Sequence, residues 1–442
     1  MKHQLKWLLS LALVLTLALS FLPGKVQAED EKLAGEISVQ AEEGWMDYYE
    51  AAAKRVSDKY PDVKITLIEV GAFDHLDTLD QTDASNPDVA DLFAIPADRL
   101  YGLTDSETLA AIDSEKLVKE IGGWEDFEAF NKGIGGNFKI EDEYFAFPFN
   151  IETLINFVNT KNAKEAGIDL EKPIELSEVK DAKTVLLPIF DAWYGVATTN
   201  SADVELLGKD SEEEGKFFTD LSQDWADLPK EKQELFTALY DYWKLNADAE
   251  TTLFDPDAGW GYIDDTFASG KGGVILLGGP WDSAKFAGLA DDGKDLMIRP
   301  IDQLTINGKP LKHWQGGWGL AINSRIEDDP AKMAIAEKMI EEIVNPEYAV
   351  DLFKASGKIL ENVKPETYTE SDDLEQIDKD TILAVIESYK AAPARPLFSE
   401  WGQVWDTWKN AVLSWNSVKP ESAEAAYKEI QASFTSMMDN IK

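Results

Sequence analysis

Tryptophan is the most unusual chemical resource of this chain, which has 14 of them in 442 residues. A flat indole ring can cover the C–H face of a sugar, while charged or amide side chains beside it hydrogen-bond the hydroxyls around the rim. Tryptophans carried by turns suit this task, because a turn can present the ring to a ligand. The clearest candidates are Trp45 after Gly44, Trp281 after Pro280, Trp318 between two glycines, and the pair Trp401 and Trp405.

A tryptophan is large, and any single one more often packs into a core than against a ligand. We therefore assign Trp408 and Trp415, which lie inside an apolar helical pattern, to the core. The turns beside Trp45 and Trp281 favour ligand stacking for those two rings.

Cysteine and histidine limit the other chemistry that the chain can perform. Cysteine is absent and histidine occurs three times, as His3, His75 and His313. The composition excludes disulfides, thiolate metal sites and cysteine nucleophiles, and leaves too few histidines in the mature chain for a three-histidine zinc site. Neither His75 nor His313 lies in a catalytic motif, so we predict ordinary surface or hinge residues. No cofactor is predicted.

The charge balance is strongly acidic, with 42 basic and 83 acidic residues and a net charge of −41. Such a surface repels phosphate backbones and anionic lipid headgroups, so binding to nucleic acid or to a membrane surface is disfavoured. We interpret the acidity as a solvated coat suited to salty or alkaline surroundings. The hydrophobic content of 44% is ample for real cores.

The N-terminal segment has the pattern of a secretory signal. Lys2 and Lys6 precede an apolar run over residues 8–22, and small residues Val26 and Ala28 mark a cleavage site. We predict a signal peptide over residues 1–28, cleaved after Ala28, and a mature protein in a periplasm or outside the cell. An uncleaved anchor is the alternative. Without cysteine, no lipid-attachment site follows the signal.

The order of predicted elements favours an α/β fold with two lobes. A strand over residues 36–41, a helix over 47–60 and a strand over 63–68 begin the mature chain, and a third strand follows over 89–95. Alternation of this kind is typical of a sheet with helices on its faces. The length exceeds what one core usually covers, and the tail is helical.

Four motifs, in this order and across nearly the whole mature chain, resemble the family of extracellular solute-binding proteins for carbohydrates. The first motif is Gly44-Trp45 with the helix that ends at residues 60–65, and the second is residues 87–89 leading to Asp98-Arg99. The third is Phe147-Pro148, which precedes Glu152 and residues 158–161. The fourth is Gly279-Pro280-Trp281, followed later by residues 316–323. Each motif is weak alone, and the ordered set is fairly specific.

The resemblance implies a fold with two α/β lobes, each a mostly parallel sheet flanked by helices, and a ligand cleft at the hinge, as in class II periplasmic binding proteins. It implies lobe 1 over residues 29–150 and 300–350, and lobe 2 over residues 151–299 and 351–442. Closure of the lobes around the ligand would present it to the permease subunits of an ABC transporter. The expected protein is a monomer without stable membrane insertion.

The resemblance also assigns binding roles, residue by residue, to positions of this sequence. Asp98, Arg99 and Glu152 match groups that hydrogen-bond sugar hydroxyls, although Asp98 and Arg99 could instead form a local ion pair. Trp193, Trp281 and Trp405 match stacking aromatics, with Trp401 one turn earlier as a competitor for Trp405. The predicted carbohydrate-binding set is completed by Glu43, Trp45 and Trp318.

Two departures from maltodextrin binders leave the sugar unnamed. Glu42-Glu43 replaces an Asp-Lys pair, and no tryptophan precedes Asp98. These differences argue against maltose itself and leave an oligosaccharide plausible.

Two other classes of function remain open from the sequence. A secreted glycoside hydrolase would need two carboxylates placed across the scissile bond, and with 83 acidic residues such a pair can always be proposed. A binding protein for a cation or another non-sugar solute would need carboxylate clusters in its cleft.

Overall fold

Two separate β-sheets with helices packed around them organise the chain. The computed structural model describes residues 32–209 and 216–441. The predicted signal peptide, residues 1–28, lies outside the described residues. In this part of the chain, no helix combines the length and the apolar character needed to cross a membrane.

The strands are short and are numbered here in chain order. They are β1 (Ala34–Ala41), β2 (Asp62–Glu69), β3 (Leu92–Pro96), β4 (Lys139–Ile140), β5 (Glu143–Tyr144), β6 (Phe147–Glu152), β7 (Ile155–Asn159), β8 (Ile174–Glu175), β9 (Val185–Leu186), β10 (Gly208–Lys209), β11 (Phe217–Phe218), β12 (Ile275–Gly278), β13 (Leu296–Arg299), β14 (Leu304–Ile306), β15 (Lys309–Pro310) and β16 (Gly316–Ile322).

The helices are longest in the second half of the chain. Those before residue 200 are Met46–Lys59, Ala72–Gln81, Leu100–Asp105, Ser114–Ile121, Phe127–Lys132, Thr160–Ala166 and Ala192–Thr199. The later ones are Lys230–Asp248, Gly259–Phe267, Ser283–Leu289, Pro330–Ile343, Ala349–Ser356, Pro365–Thr369, Gln376–Lys390, Gln403–Val418 and Ala423–Asn440.

The first lobe is built on a five-stranded sheet in the order β2-β1-β3-β16-β6. β3 and β16 are buried along their whole lengths, as expected of strands covered on both faces. The helix Met46–Lys59 buries Tyr49, Ala52 and Val56 on one face, which is the helical spacing that its sequence predicts. The second lobe is built on a four-stranded sheet in the order β13-β7-β12-β9.

Both sheets are mixed, whereas the resemblance implied mostly parallel sheets. β1 pairs in parallel with β2 and β3, but β16 is antiparallel to β3 and β6. The reason is the path of the chain. β6 leaves the first sheet at the hinge, and β16 returns from the second lobe, so β16 starts at the hinge and must run the opposite way.

Within the described residues, the chain passes between the lobes at three places. β6 leads directly into β7, and β13 is followed later by β16. The third passage lies between the helix Ala349–Ser356, which packs on Met46–Lys59, and the helix Gln376–Lys390, which packs on β7 and β13. β14 pairs with β8, so residues 304–306 accompany a segment of the predicted second lobe. The lobe boundaries stay a prediction.

The late tryptophans Trp408 and Trp415 belong to the core, as predicted. Both are fully buried, and their indole N–H groups donate to the carbonyl oxygens of Ile189 at 2.6 Å and Ala426 at 3.0 Å. These bonds satisfy the polar edge of each ring inside the protein.

The sequence predicted that His75 and His313 are surface or hinge residues. The prediction of a surface position is wrong, because both rings are buried. His75 Nε2 accepts a hydrogen bond from the amide of Ala90 at 2.9 Å. Burial lowers the pKa of His75 to about 4 and that of His313 to about 3, so both are neutral at pH 7.

Candidate functional site

A cleft of about 840 Å³ lies at the hinge, with walls from both lobes. Every residue of the predicted binding set except Glu43 lines it. These residues are Trp45, Asp98, Arg99, Glu152, Trp193, Trp281, Trp318, Trp401 and Trp405. The structure therefore gathers side chains that are spread over more than three hundred positions of the sequence.

Glu43 is the exception, because its side chain is exposed and lies outside the cleft lining. A short 3-10 turn over Glu43–Trp45 directs Trp45 inward and Glu43 outward. Glu42 faces the cleft instead, and one of its carboxylate oxygens accepts a hydrogen bond from the amide of Ala72 at 3.2 Å. The acidic side chain that faces the cleft at this point is therefore Glu42 and not Glu43, which the sequence predicted.

The first-lobe wall is an aromatic surface centred on Trp318. The Phe73 ring meets Trp318 edge to face with centroids 5.2 Å apart, and Phe73 is 60% exposed. Trp45 packs edge to face on Phe149 at 5.6 Å and is only 5% exposed. Trp45 therefore contributes an edge to the cleft, while most of its ring serves the core.

The glycines beside Trp318 are required by close packing behind it. A Cβ on Gly317 would lie 1.9 Å from Cδ1 of Ile134, and one on Gly319 would lie 2.7 Å from the ring of Phe138. Both distances are far below van der Waals contact. The sequence Gly317-Trp318-Gly319 thus lets a strand pack tightly on one side and carry an indole on the other.

Glu152 is the last residue of β6, at the first passage between the lobes. It is 8% exposed, and its Oε2 accepts a hydrogen bond from the indole N–H of Trp318 at 2.9 Å. Burial raises the pKa of Glu152 above its usual value, and the positive charges of Lys358 and Arg395 oppose that shift.

The second-lobe wall is a cluster of indole rings. Trp401 lies 4.8 Å from Trp314 and from Trp405, and Trp193 lies 6.4 Å from Trp405, all between ring centroids. Trp405 and Trp193 are partly exposed, whereas Trp401 is buried with its indole N–H unpaired. His313 supports the cluster, because its neutral ring donates from Nε2 to the carbonyl oxygen of Trp193 at 2.9 Å.

Trp281 is a half-exposed ring of the cleft lining. It is 48% exposed and lies in the 3-10 turn Pro280–Asp282. A Cβ on Gly279 would lie 2.2 Å from the Trp281 ring, so a larger residue before the turn would displace the ring from this position. Asp282 closes the turn by accepting a hydrogen bond from the Gly279 amide at 3.1 Å. A large apolar ring is thereby held exposed at a cleft.

Asp98 and Arg99 do not pair with each other. Arg99 forms an ion pair with Asp80 at 2.5 Å, and Asp98 pairs with Arg395 at 2.7 Å. The Arg395 side chain is 6% exposed, and its guanidinium lies 5.2 Å above the ring of Trp193. The second oxygen of Asp98, Oδ1, is buried and has no hydrogen-bond partner among the described residues. It remains an acceptor for a ligand.

Several cleft residues were missed from the sequence. Lys358 and Arg395 carry charge into the cleft, and Phe73 and Phe398 add aromatic surface. Weak signals exist in hindsight. Gly357 ends a helix in the left-handed conformation just before Lys358, and Arg395 precedes a proline. Neither signal distinguishes a binding residue from an ordinary surface cation.

The cleft is balanced in charge although the protein is not. The acids that line it are Glu42, Asp98 and Glu152, and the bases are Arg99, Lys358 and Arg395. The chain as a whole carries a net charge of −41. Among the described residues, no group of three or more His, Asp or Glu side chains has the geometry of a metal site.

The fold and the cleft agree with the comparisons to known proteins. Residues 42–350 match the family of bacterial extracellular solute-binding proteins, and the chain belongs to this family. A search of curated proteins found no match.

Solved structures of sugar-binding proteins share the fold. The maltose-binding periplasmic protein of Listeria monocytogenes, in complex with maltose, is 20% identical with a TM-score of 0.67, and 91% of this chain covers 98% of that one. MalX of Streptococcus pneumoniae, in complex with maltopentaose, is 20% identical with a TM-score of 0.65, over 90% of this chain and 99% of the other. The GacH receptor of Streptomyces glaucescens, solved with acarbose, is 15% identical with a TM-score of 0.69, over 93% of this chain and 100% of that one.

Proposed function

We propose that this chain is an exported binding protein that captures an oligosaccharide and delivers it to an ABC importer. The observation that carries the proposal is a hinge cleft with indole rings on both walls and charged groups between them. Stacked rings cover the apolar faces of sugar units, and the charged groups hydrogen-bond the hydroxyls.

The similar structures support an oligosaccharide. Their ligands are maltose, maltopentaose and acarbose, all bound in proteins with the same two-lobed fold. In this chain Trp281 and Trp405 both line the cleft with partly exposed rings, which suits a ligand of more than one sugar unit. Closure of the lobes on the ligand is the form that permease subunits would recognise. The predicted signal peptide and monomeric state complete the proposal.

Binding without hydrolysis is the second part of the proposal. A glycosidase needs one carboxyl as acid and another free to act as base or nucleophile. Here Asp98 is paired with Arg395, and Glu42 accepts a hydrogen bond from the Ala72 amide. Each of these two carboxylates thus holds one oxygen in a contact within the protein, which favours binding over general-base chemistry. A cationic solute is disfavoured because the bases Arg99, Lys358 and Arg395 balance the three acids of the cleft.

The test is a titration of the purified mature protein with neutral oligosaccharides of the malto-, cello-, xylo- and manno-series. Calorimetry and tryptophan fluorescence report binding, and a reducing-end assay on the same samples reports hydrolysis. We expect saturable binding of at least one series and no new reducing ends. Release of product would show an enzyme, and absence of binding to all series would contradict the proposal.

A further inference from the structure

Lys358 is a cation of the cleft for which the described part of the chain supplies no acceptor. No hydrogen bond or ion pair to its ammonium group occurs within residues 32–209 and 216–441. Instead the ammonium faces three rings of the first-lobe wall, with Nζ 4.8 Å from the centroid of Trp318, 5.4 Å from Trp45 and 5.8 Å from Phe149. The residue is half-buried, and burial lowers the pKa of Lys358.

Backbone pairing places Lys358 next to Glu152. Ile151 forms an antiparallel bridge with Ile359, and its amide donates to the Ile359 carbonyl at 2.9 Å. In antiparallel pairing, the residue after one partner lies opposite the residue before the other. Glu152 and Lys358 are therefore opposite one another at the point where the chain leaves the first lobe.

The two side chains nevertheless do not form an ion pair. Glu152 Oε2 accepts from the indole N–H of Trp318, at the edge of that ring, while the Lys358 ammonium lies over its face. Glu152 Oε1 has no hydrogen-bond partner in the described parts of the chain. A buried carboxylate and a half-buried ammonium that share one ring and do not pair leave hydrogen-bonding capacity for a third group.

We infer that Lys358 and Glu152 together bind a hydroxyl group of a neutral sugar and so select against charged sugars. The inference rests on the proposed function and specifies its ligand. A hydroxyl accepts from the ammonium and donates to the carboxylate at the same time. A ligand carboxylate would face Glu152, and a ligand ammonium would face Lys358. The same carboxylate is attracted by Lys358 and the same ammonium by Glu152, so each charged ligand gains one favourable contact and meets one like charge, whereas a neutral hydroxyl satisfies both groups.

The first experiment compares neutral with charged sugars. The wild-type protein is titrated with the neutral oligosaccharides used above, with trigalacturonate as an acidic sugar and with the chitosan trimer as a basic one. We expect the best neutral ligand to bind at least tenfold more tightly than either charged sugar. Tighter binding of trigalacturonate or of the chitosan trimer would overturn the inference and leave the importer function standing.

The second experiment locates the selectivity at Lys358. Lys358→Met keeps the length of the apolar stem and removes the donor, and Lys354→Met removes an exposed lysine from the neighbouring helix as a control. We expect at least tenfold weaker binding of the best neutral ligand for Lys358→Met and less than a twofold change for Lys354→Met. Melting temperatures verify that both variants are folded.

Deoxy analogues of the best ligand, each lacking one hydroxyl, separate recognition from a structural effect. The analogue lacking the recognised hydroxyl should bind the wild type at least tenfold more weakly than the parent sugar. In Lys358→Met and in Glu152→Gln, which each keep one partner for that hydroxyl, the difference in affinity between the parent sugar and that analogue should be smaller than in the wild type. If both variants discriminate as the wild type does, the inference fails. If the wild type binds no sugar, the proposed function fails and the inference with it.

Discussion

Arg395 and Asp98 form an ion pair at 2.7 Å across the cleft. Asp98 follows β3 of the first lobe, whereas Arg395 lies over the Trp193 and Trp314 rings, at 5.2 and 5.5 Å from their centroids. The pair therefore ties the first-lobe sheet to the indole cluster. Asp98 Oδ1 has no hydrogen-bond partner among the described residues, so the guanidinium of Arg395 is the group that offsets the cost of burying most of this carboxylate.

Removal of Arg395 should destabilise the protein. Breaking a buried pair by deleting one partner costs about 3–5 kcal/mol, and we expect Arg395→Met to lower the free energy of unfolding by the lower part of that range, since Asp98 is 27% exposed. Urea denaturation measures the change.

Arg99→Met is the matched control for stability. Arg99 and its partner Asp80 are 33% and 47% exposed, so the loss of this pair should cost less than about 1 kcal/mol. Equal losses for the two variants would show that the Arg395 pair has no special role.

Trp281→Ala and Trp405→Ala should each weaken sugar binding more than tenfold while the protein stays folded. Both rings line the cleft and are only partly buried, so they lose ligand contact more than core packing. Calorimetry with the best neutral oligosaccharide measures the effect. Trp260→Ala, which removes a 37% exposed ring outside the cleft, should leave affinity unchanged. Unchanged affinity in both cleft variants would refute stacking.

Trp408→Ala should lower the stability of the protein and leave its affinity for the sugar largely unchanged. Its ring is fully buried beside the backbone of Ile189, so truncation should cost about 3–5 kcal/mol of stability. At temperatures where the variant remains folded, its affinity for the sugar should stay within a few-fold of wild type. A large loss of affinity in a folded Trp408→Ala protein would place this ring in the site after all.

Gly317→Ala should destabilise the first lobe. The new Cβ would lie 1.9 Å from Cδ1 of Ile134 and 2.2 Å from the carbonyl oxygen of Asn150, which is backbone and cannot rotate away. Overpacking of this kind costs about 1–3 kcal/mol or more. Gly288→Ala, in an exposed helix with open space around the new Cβ, should instead be neutral or stabilising by up to about 1 kcal/mol. Thermal and urea unfolding compare the two.

Acid should destabilise the protein partly through His75. Its pKa is about 4 in the folded state, against a usual value of 6.5, so the unfolded state binds the proton first. The stability from the neutral ring is complete above pH 6.5 and is lost progressively as the pH falls to about 4. The loss amounts to about 3 kcal/mol.

His75→Gln tests this titration, because a glutamine oxygen can accept from the Ala90 amide without titrating. We expect urea unfolding between pH 7 and pH 4 to show a smaller fall in stability for this variant than for wild type. Carboxylates contribute equally to both proteins, so the difference isolates the histidine. Parallel pH profiles would contradict the assigned pKa.

Much of the cleft could be predicted because its signals are local. Gly279-Pro280 sets up the turn that exposes Trp281, and the glycines beside Trp318 mark a strand under close packing. Turn geometry and close approach act over a few residues, so they are visible in a single sequence. The family resemblance added Asp98, Arg99 and Glu152, whose positions no local rule predicts.

Other features required the tertiary structure. Whether Glu42 or Glu43 faces the cleft depends on the short turn Glu43–Trp45. The burial of His75 depends on tertiary packing, which no sequence motif predicts.

By itself the sequence determined a two-lobed α/β protein with tryptophan-bearing turns, because hydrophobic period, turn residues and composition act locally. Only the tertiary structure decided how the charges of the cleft are arranged. The pairing of Ile359 with Ile151 places Lys358 opposite Glu152. Arg395 forms an ion pair with Asp98 across the hinge. Such partners are far apart along the chain, and their attraction depends on distance and burial, which are known only after folding.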